Sequence, residues 1–549
     1  MAIKQHTASD NGSNLMIVAG PGTGKSSTMI DGLKYVFGGG SYIPNFPPTD
    51  QQRDIFEAMS GSYRSIVFLS FNKSIAQENN QKVPQGVDCR TFHSYVIRYC
   101  WKKQGVKFNI DNDATRWRIH DRVLGLRYRQ KLDRDQRKNI TAANKLVGVI
   151  KNNMADWNDM NVLEMLASKH SIDMNGSRAE VLKMAKQCMD TYKSFEEDDM
   201  ANGGTVKIDF DDVLFLPQLL NWDCEKVDLM IVDETQDTNG IQRYYFQFAG
   251  RVIAVGDPNQ SIYAFRGADY NSMEILGDHL TESKKGMKTL PLNISWRLPK
   301  THVDNANQIR PDSVQAAPNA IEGTIINGTM KHWENGFSSK DDVQSLVGTD
   351  LFSGEGIVPG LTPGDLGLAR LNASLCLIAH KLIKLRVPVK IQGSDFGKGL
   401  IYLIKSICDR NTRMSISEFS ERLASHHVKE RERIQKYNKF PELPLSALDE
   451  KIDSIAFLTE GLDTVQDVIN SIEELFSDEK VGGKFVLLST VHRAKGLEAD
   501  RVWIFNREKM PHPLAQTHED QEQEQNIIFV AETRAKNTLI RLYSDGDDE

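Results

Sequence analysis

An apolar run, Leu15-Met-Ile-Val-Ala19, leads directly into Gly20-Pro21-Gly22-Thr23-Gly24-Lys25-Ser26-Ser27. A strand that feeds a glycine-rich turn and then opens a helix presents backbone N–H groups to phosphate oxygens. Lys25 would reach the β and γ phosphates, and Ser26 Oγ would hold Mg²⁺. Ala19 stands where G-x-x-x-x-G-K-[ST] usually has its first glycine, but Gly20, Gly22 and Gly24 keep the turn supple. A second run, Leu229-Met-Ile-Val, ends in Asp233-Glu234-Thr235-Gln236-Asp237. Two adjacent carboxylates at a strand tip suit a Mg²⁺ ligand (Asp233) and a water-activating base (Glu234). The plainer alternative for Asp233 is a helix N-cap. Phosphoryl transfer also needs cations on the transition state. Arg297, in Ser295-Trp296-Arg297, and Arg534, in Glu532-Thr533-Arg534-Ala535-Lys536, are the candidates, with surface ion pairing as the alternative.

Positioning these groups requires strands. Leu15–Ala19, Ile66–Leu69, Leu229–Val232, Val252–Val255, Phe485–Leu488 and Val502–Phe505 are short β-rich runs bounded by polar or glycine-containing turns, with weaker runs at Thr289–Leu292 and Leu366–Ala369. Continuous apolar runs separated by helix-like stretches indicate buried parallel strands of an α/β sheet. Four lie before residue 256 and two after 484, so the pattern predicts two α/β cores, each interrupted by a helical insertion. The first insertion closes at Asn202-Gly203-Gly204, and Pro441-Glu442-Leu443-Pro444 marks a turn or hinge within the second. From Trp101 to Lys151 there are 14 Lys+Arg against 5 Asp+Glu, interleaved with Trp101, Trp117 and Tyr128. Such a segment reads either as a nucleic-acid surface or as a solvated helix face.

The length, 549 residues, implies three or four domains at roughly 150 residues each. With 40% hydrophobic and 26% charged residues, wholesale disorder and fibrous repeats are excluded. A net charge of −7 argues against a polybasic coat protein but not against a basic groove. The six cysteines form no Cys-x-x-Cys pair, which argues against a disulfide scaffold or zinc ribbon and suits a reducing, intracellular (cytoplasmic) setting. The first ten residues, MAIKQHTASD, lack an apolar core, and no apolar run approaches a bilayer span, so no membrane partner is expected.

Taken in order, the blocks resemble UvrD/Rep-type superfamily 1 DNA helicases. Beyond those already given, they are Gln5; Ser70-Phe71-Asn72-Lys73; Thr91-Phe92-His93-Ser94; the stretch from Gly256-Asp257-Pro258-Asn259-Gln260 through Tyr263-Ala264-Phe265-Arg266-Gly267; Thr490-Val491-His492-Arg493-Ala494-Lys495-Gly496-Leu497-Glu498; and Phe529 to Lys536. The resemblance implies two RecA-like P-loop cores with parallel sheets. The first core would comprise residues 1–99 and 203–285, with its insertion at 100–202. The second would comprise 286–399 and 480–549, with a reduced insertion at 400–479, as in compact phage-encoded and F-box-type members.

The same resemblance assigns roles. ATP would be held by Gln5, which reads adenine, by Ala19 to Ser27, and by Trp296, Arg297, Glu498 and Arg534, with Mg²⁺ on Ser26 and Asp233. Gln260 would couple the γ-phosphate to the DNA track, and Arg297 and Arg534 would be arginine fingers. Phe71, Asn72, Thr91, His93, Tyr263, Phe265, Arg266, Thr490 and His492 would face DNA. From the residues themselves, the plainer alternative for Tyr263 and Phe265 is interdomain core, and a lone histidine is usually structural. Phe265 stands where relatives carry Trp, and Phe71 directly precedes Asn72 where many relatives insert a residue. The implied activity is ATP-driven 3′→5′ travel on single-stranded and tailed duplex DNA with unwinding. An accessory replication, repair or nuclease protein would be a further partner. A translocase that displaces proteins or powers a nuclease, and a nucleotide-switched binding module, remain alternatives.

Overall fold

The computed structural model describes residues 12–42, 44, 47–126, 132–170, 172–174, 177–195, 205–263, 271–283, 285–330, 344–345, 360–437, 441–477 and 484–544. The chain divides into two compact units between Asn293 and Ile294.

The first unit is built on six parallel strands: β1 (Asn14–Ala19), β2 (Ile66–Leu69), β3 (Val87–Arg90), β4 (Val227–Val232), β5 (Ala249–Gly256) and β6 (Met287–Leu292), in the order β3-β2-β4-β5-β1-β6. Side chains alternate across a sheet, so each apolar run supplies two cores at once. Leu15, Ile17, Phe68, Leu229 and Ile231 pack on one face with Met29 and Leu33. Met16, Val67, Leu69, Met230 and Val232 pack on the other with the helical segment. That two-sided burial explains why these strands read as unbroken hydrophobic runs rather than alternating ones. β3 escapes the pattern because Val87-Asp88-Cys89-Arg90 lies at the sheet edge and only Val87 is buried.

Between β3 and β4 the chain is largely helical, with α1 (Arg134–Asn153), α2 (Met160–Lys169) and α3 (Arg178–Thr191) as its principal helices. It also holds a two-stranded parallel pair, Phe108–Ile110 with Val206–Ile208, which helical spacing does not reveal. The basic stretch proves largely structural at two of its named features. Trp101 is fully buried, donating its indole N–H to Val213 O (2.9 Å) and packing edge-on against Trp222. Lys151 is buried as well. Tyr128 and Asn202-Gly203-Gly204 lie outside the described residues. Cys100 and Cys224, both buried, are joined as a disulfide, one pairing that the scattered cysteines did not suggest.

The second unit carries eight strands: β7 (Thr324–Thr329), β8 (Gln344–Ser345), β9 (Leu366–Ala369), β10 (Val389–Gln392), β11 (Phe476–Ser477), β12 (Val486–Thr490), β13 (Ala499–Ile504) and β14 (Ala535–Tyr543). Their order is β8-β7-β14-β13-β9-β12-β10-β11, parallel except for the antiparallel pair β7 and β8. Helices Ser394–Ile407, Ile416–Tyr437, Glu442–Thr459 and Val465–Leu475 lie between β10 and β12. The Pro441–Pro444 tetrapeptide is where the third of these helices begins, with Pro441 at its N-cap. Proline is tolerated there because first-turn N–H groups have no intrahelical partner.

Candidate nucleotide and nucleic-acid site

β1 ends at Ala19, and the turn that follows is pinned by Gly20 N–H on Leu292 O of β6 (3.0 Å) and by Thr23 Oγ1 on Gly20 O (3.0 Å). Gly22 and Gly24 take φ values of 70° and 76°, the left-handed region that only glycine enters at little cost. Gly24 then caps the helix Lys25–Phe37 with no side chain bonded to the first-turn N–H groups, which leaves them for an anion. Lys25 Nζ donates to Gly20 O at 3.4 Å.

Parallel β4 delivers Asp233 beside this turn, and Ser26 Oγ donates a hydrogen bond to Asp233 Oδ2. Burial pushes the Asp233 carboxyl up to about 6, with the Glu234 charge adding to the shift and Ser26 and Lys25 opposing it. A hydroxyl and a carboxylate meeting next to a phosphate turn fit Mg²⁺, which takes a few protein oxygens and completes its shell with phosphate and water. Among the described residues no cluster of three His, Cys, Asp or Glu side chains forms an all-protein metal site.

Glu234 sits at φ 53°, a conformation uncommon for a non-glycine residue. A relay leads from it: Gln236 Nε2 donates to Glu234 Oε2, Gln236 Oε1 accepts from Asp257 N–H (3.0 Å), and Gln260 Nε2 donates to Asp257 Oδ2 (2.7 Å). Gly256 makes room for it, since a Cβ there would lie 2.4 Å from Gln236 Oε1. Sequence reading named Gln260 but missed Gln236 as its link to Glu234. Their regular spacing on two strand ends was the available signal.

Asp233 and Glu234 also line an open groove of about 1390 Å³ within the first unit. Phe71, 41% exposed, stacks on Tyr263 with ring centroids 5.7 Å apart and planes 14° apart. Asn72 and Thr91 cap two short helices, accepting from Ile75 N–H (2.9 Å) and Ser94 N–H (3.4 Å), so part of their polar capacity is structural. His93 stacks on Phe210 at 3.7 Å, and burial lowers its pKa to about 4. It meets the groove as a neutral ring rather than a cation. Phe210, half exposed among the carboxylates of Asp209, Asp211 and Asp212, was not among the predicted residues. An aromatic set in a run of acids was its signal. Gln5, Phe265 and Arg266 lie outside the described residues.

In the second unit, Arg297 Nε donates to Glu498 Oε2 (2.5 Å), and Lys536 Nζ pairs with Glu498 Oε1 (2.7 Å). Burial alone would raise the Glu498 pKa, but these two cations hold it below the usual carboxylate range. Arg534 is only 1% exposed and donates to Val530 O (2.8 Å) and Thr533 Oγ1 (3.0 Å). Trp296, by contrast, is 51% exposed. Thr490 ends β12 buried, its carbonyl accepting from Arg493 and Ala494 N–H, with His492 half-buried beside it.

Residues 2–280 match the UvrD/REP helicase N-terminal domain, and residues 405–546 match the UvrD-like helicase C-terminal domain. The chain is 23% identical to F-box DNA helicase 1 of Gallus gallus over 97% of its own length and 48% of the relative. It is 22% identical to a probable DNA helicase II homolog of Mycoplasma genitalium, over 98% and 83%. With the ATP-dependent DNA helicase PcrA of Staphylococcus aureus it shares 21% identity over 61% of this chain and 43% of that one. It thus spans about half the length of the chicken relative.

Proposed function

The chain belongs to the UvrD/REP helicase family, and on that premise we propose that it is an ATP-dependent DNA helicase that moves 3′→5′ along single-stranded DNA and opens tailed duplexes. The observation that carries this reading is that one pair of carboxylates serves two surfaces. Asp233 is bonded to Ser26 of the phosphate turn, and Asp233 and Glu234 both line the groove that holds the Phe71–Tyr263 and His93–Phe210 ring pairs.

ATP is the substrate of the turn. The first-turn N–H groups and Lys25 bind its phosphates, and Ser26 and Asp233 would hold Mg²⁺, which would offset phosphate charge. Glu234, aimed by Gln236, orients the attacking water and takes its proton. Arg297 and Arg534 supply positive charge to the transferred phosphoryl group once released from their present partners. Gln236, Asp257 and Gln260 form a chain of hydrogen bonds by which the state of the phosphate end alters the loop bearing Tyr263. The groove's rings offer stacking faces to unpaired bases, a sequence-tolerant contact worth about 1–3 kcal/mol per base. Residues 1–99 with 203–293 and 294–399 with 480–549 are assigned as the two cores, the boundary lying beyond the expected 285/286 because Met287–Leu292 pairs with β1 in the first sheet, and 100–202 and 400–479 are assigned as their insertions.

ATP hydrolysis and strand separation measured together on 3′-tailed, 5′-tailed and blunt duplexes of DNA and RNA test this reading. Unwinding confined to 3′-tailed DNA, with hydrolysis raised by single strands, is the expected result. Preference for the 5′ tail overturns the polarity, and hydrolysis indifferent to nucleic acid overturns the motor.

A further inference from the structure

Lys151 lies near the C-terminal end of α1, its side chain wholly withdrawn from solvent. Its ammonium donates to Thr115 Oγ1 (2.8 Å), Tyr192 OH (2.9 Å) and Asp209 Oδ2 (3.0 Å), and pairs with Asp212 Oδ1 at 2.7 Å. Burial works against the charge, but Asp209 and Asp212 more than compensate and hold the ammonium protonated. A buried ion cluster stabilises little unless its geometry is nearly ideal, and removing one member leaves uncompensated charge behind.

What this cluster fixes is a turn. Asp209 N–H donates to Asp212 Oδ2 (3.0 Å) and Asp212 N–H donates back to Asp209 Oδ1 (2.8 Å), a reciprocal bracket around Phe210 and Asp211. Thr115 Oγ1 also donates to Asp209 Oδ2. Outside the bracket, Phe210 projects into the groove and covers the ring of His93, whose buried Nε2 has no hydrogen-bond partner among the described residues. The next residue on α1, Asn152, lines the same groove and accepts from Asn239 Nδ2 (3.0 Å), two residues beyond the acidic box.

We propose that Lys151 is a positioning residue that acts through Asp209 and Asp212 to hold Phe210 against His93, so that the helical segment sets the geometry of base stacking in the groove. The inference rests on the groove being the strand-binding surface. Without the ammonium, two buried carboxylates face each other, the bracket opens, and Phe210 loses its fixed orientation.

A double-mutant cycle on the full chain tests it, using anisotropy of a fluorescein-labelled oligothymidylate and circular dichroism to verify folding. Phe210→Ala should weaken binding by about 5- to 150-fold, the range expected for one stacked base. Lys151→Met should weaken it by a comparable factor. Combined, the two should cost no more than the larger single loss, because both remove the same contact. A merely structural lysine would give multiplicative losses, which overturns the proposal, as does unaltered affinity in folded Lys151→Met. If Lys151→Met does not fold, Thr115→Val removes one link to Asp209 and must show the same non-additivity with Phe210→Ala; independent losses overturn the proposal. Unchanged binding in Phe210→Ala overturns the groove reading itself, and the positioning role with it.

Discussion

The two units keep their charged groups in opposite ways. In the first, Asp233, Glu234 and Lys25 stand at the ends of a parallel sheet, hydrogen-bonded to Ser26, Gln236 and Gly20, and they open onto a turn and a groove. In the second, Arg297 is engaged by Glu498, and Arg534 is buried against oxygens of its own unit. On the proposed function, folding therefore finishes the first unit's site, whereas the second unit's arginines would have to exchange partners before serving a phosphate. A group that opens onto the turn or the groove can contribute mainly to chemistry. A group bound internally contributes to stability and chemistry together.

That contrast is broken or sharpened first by Lys25→Ala. Hydrolysis of ATP should fall to background in a phosphate-release assay. Stability should move by no more than about 0.5 kcal/mol, the range for substitutions that disturb no packed feature. A large stability loss would show that the phosphate turn depends on its lysine and would erase the difference between the units. Arg534→Ala comes next, with a rate loss of about 10³ to 10⁵. Here denaturant unfolding should also show a cost of about 1–3 kcal/mol, because Val530 O and Thr533 Oγ1 lose a buried donor. Full stability in that variant would contradict internal engagement of Arg534.

A smaller effect separates ring contacts from charge contacts. Phe71→Ala should weaken single-strand binding by about 1–3 kcal/mol while leaving the dependence of log K on log salt unchanged, since a ring releases no counterions. Loss of a lysine that touches phosphate would lower that slope by about one. A change of slope in Phe71→Ala would move Phe71 from stacking to a role in placing cations.

Much of the fold was legible because parallel strands buried on both faces must be continuous apolar runs. Every run read as a strand, including the weaker Thr289–Leu292 and Leu366–Ala369, overlaps a strand of one of the two sheets, with Phe485 and Phe505 each one residue outside it. β3, β7, β10 and β14, like the two-residue strands, were not read: β3 lies at a sheet edge and needs few apolar residues, and β7, β10 and β14 mix polar residues into their runs. The phosphate turn and acidic box were visible because their chemistry fixes residue types at short spacing. Phe210 was not, because its importance comes from the His93 ring, 117 positions away in the chain. Within the basic segment, the burial of Lys151 was illegible for a related reason. Composition counts Lys151 as a surface charge, while Asp209 and Asp212, supplied from across the insertion, make it a buried one.

The smallest expected effect concerns whether the groove's histidine is a charge at all. Burial lowers the His93 pKa from its ordinary 6.5 to about 4. Between those values the unfolded chain binds a proton that the folded chain refuses. His93 therefore costs no stability above pH 6.5, and stability is lost progressively as pH falls towards 4, with a slope of at most about 1.4 kcal/mol per pH unit from this one proton. His93→Gln removes the titration, so its unfolding free energy should fall less steeply than the wild type's between pH 6.5 and 5. Single-strand affinity should likewise gain nothing attributable to His93 between pH 8 and 6, because the ring stays neutral throughout. Equal pH slopes in the two proteins would mean that His93 is solvated and able to carry charge. The first unit's groove would then bind with a cation where the structure has a stacked, neutral ring, and its contrast with the charge-rich second unit would narrow accordingly.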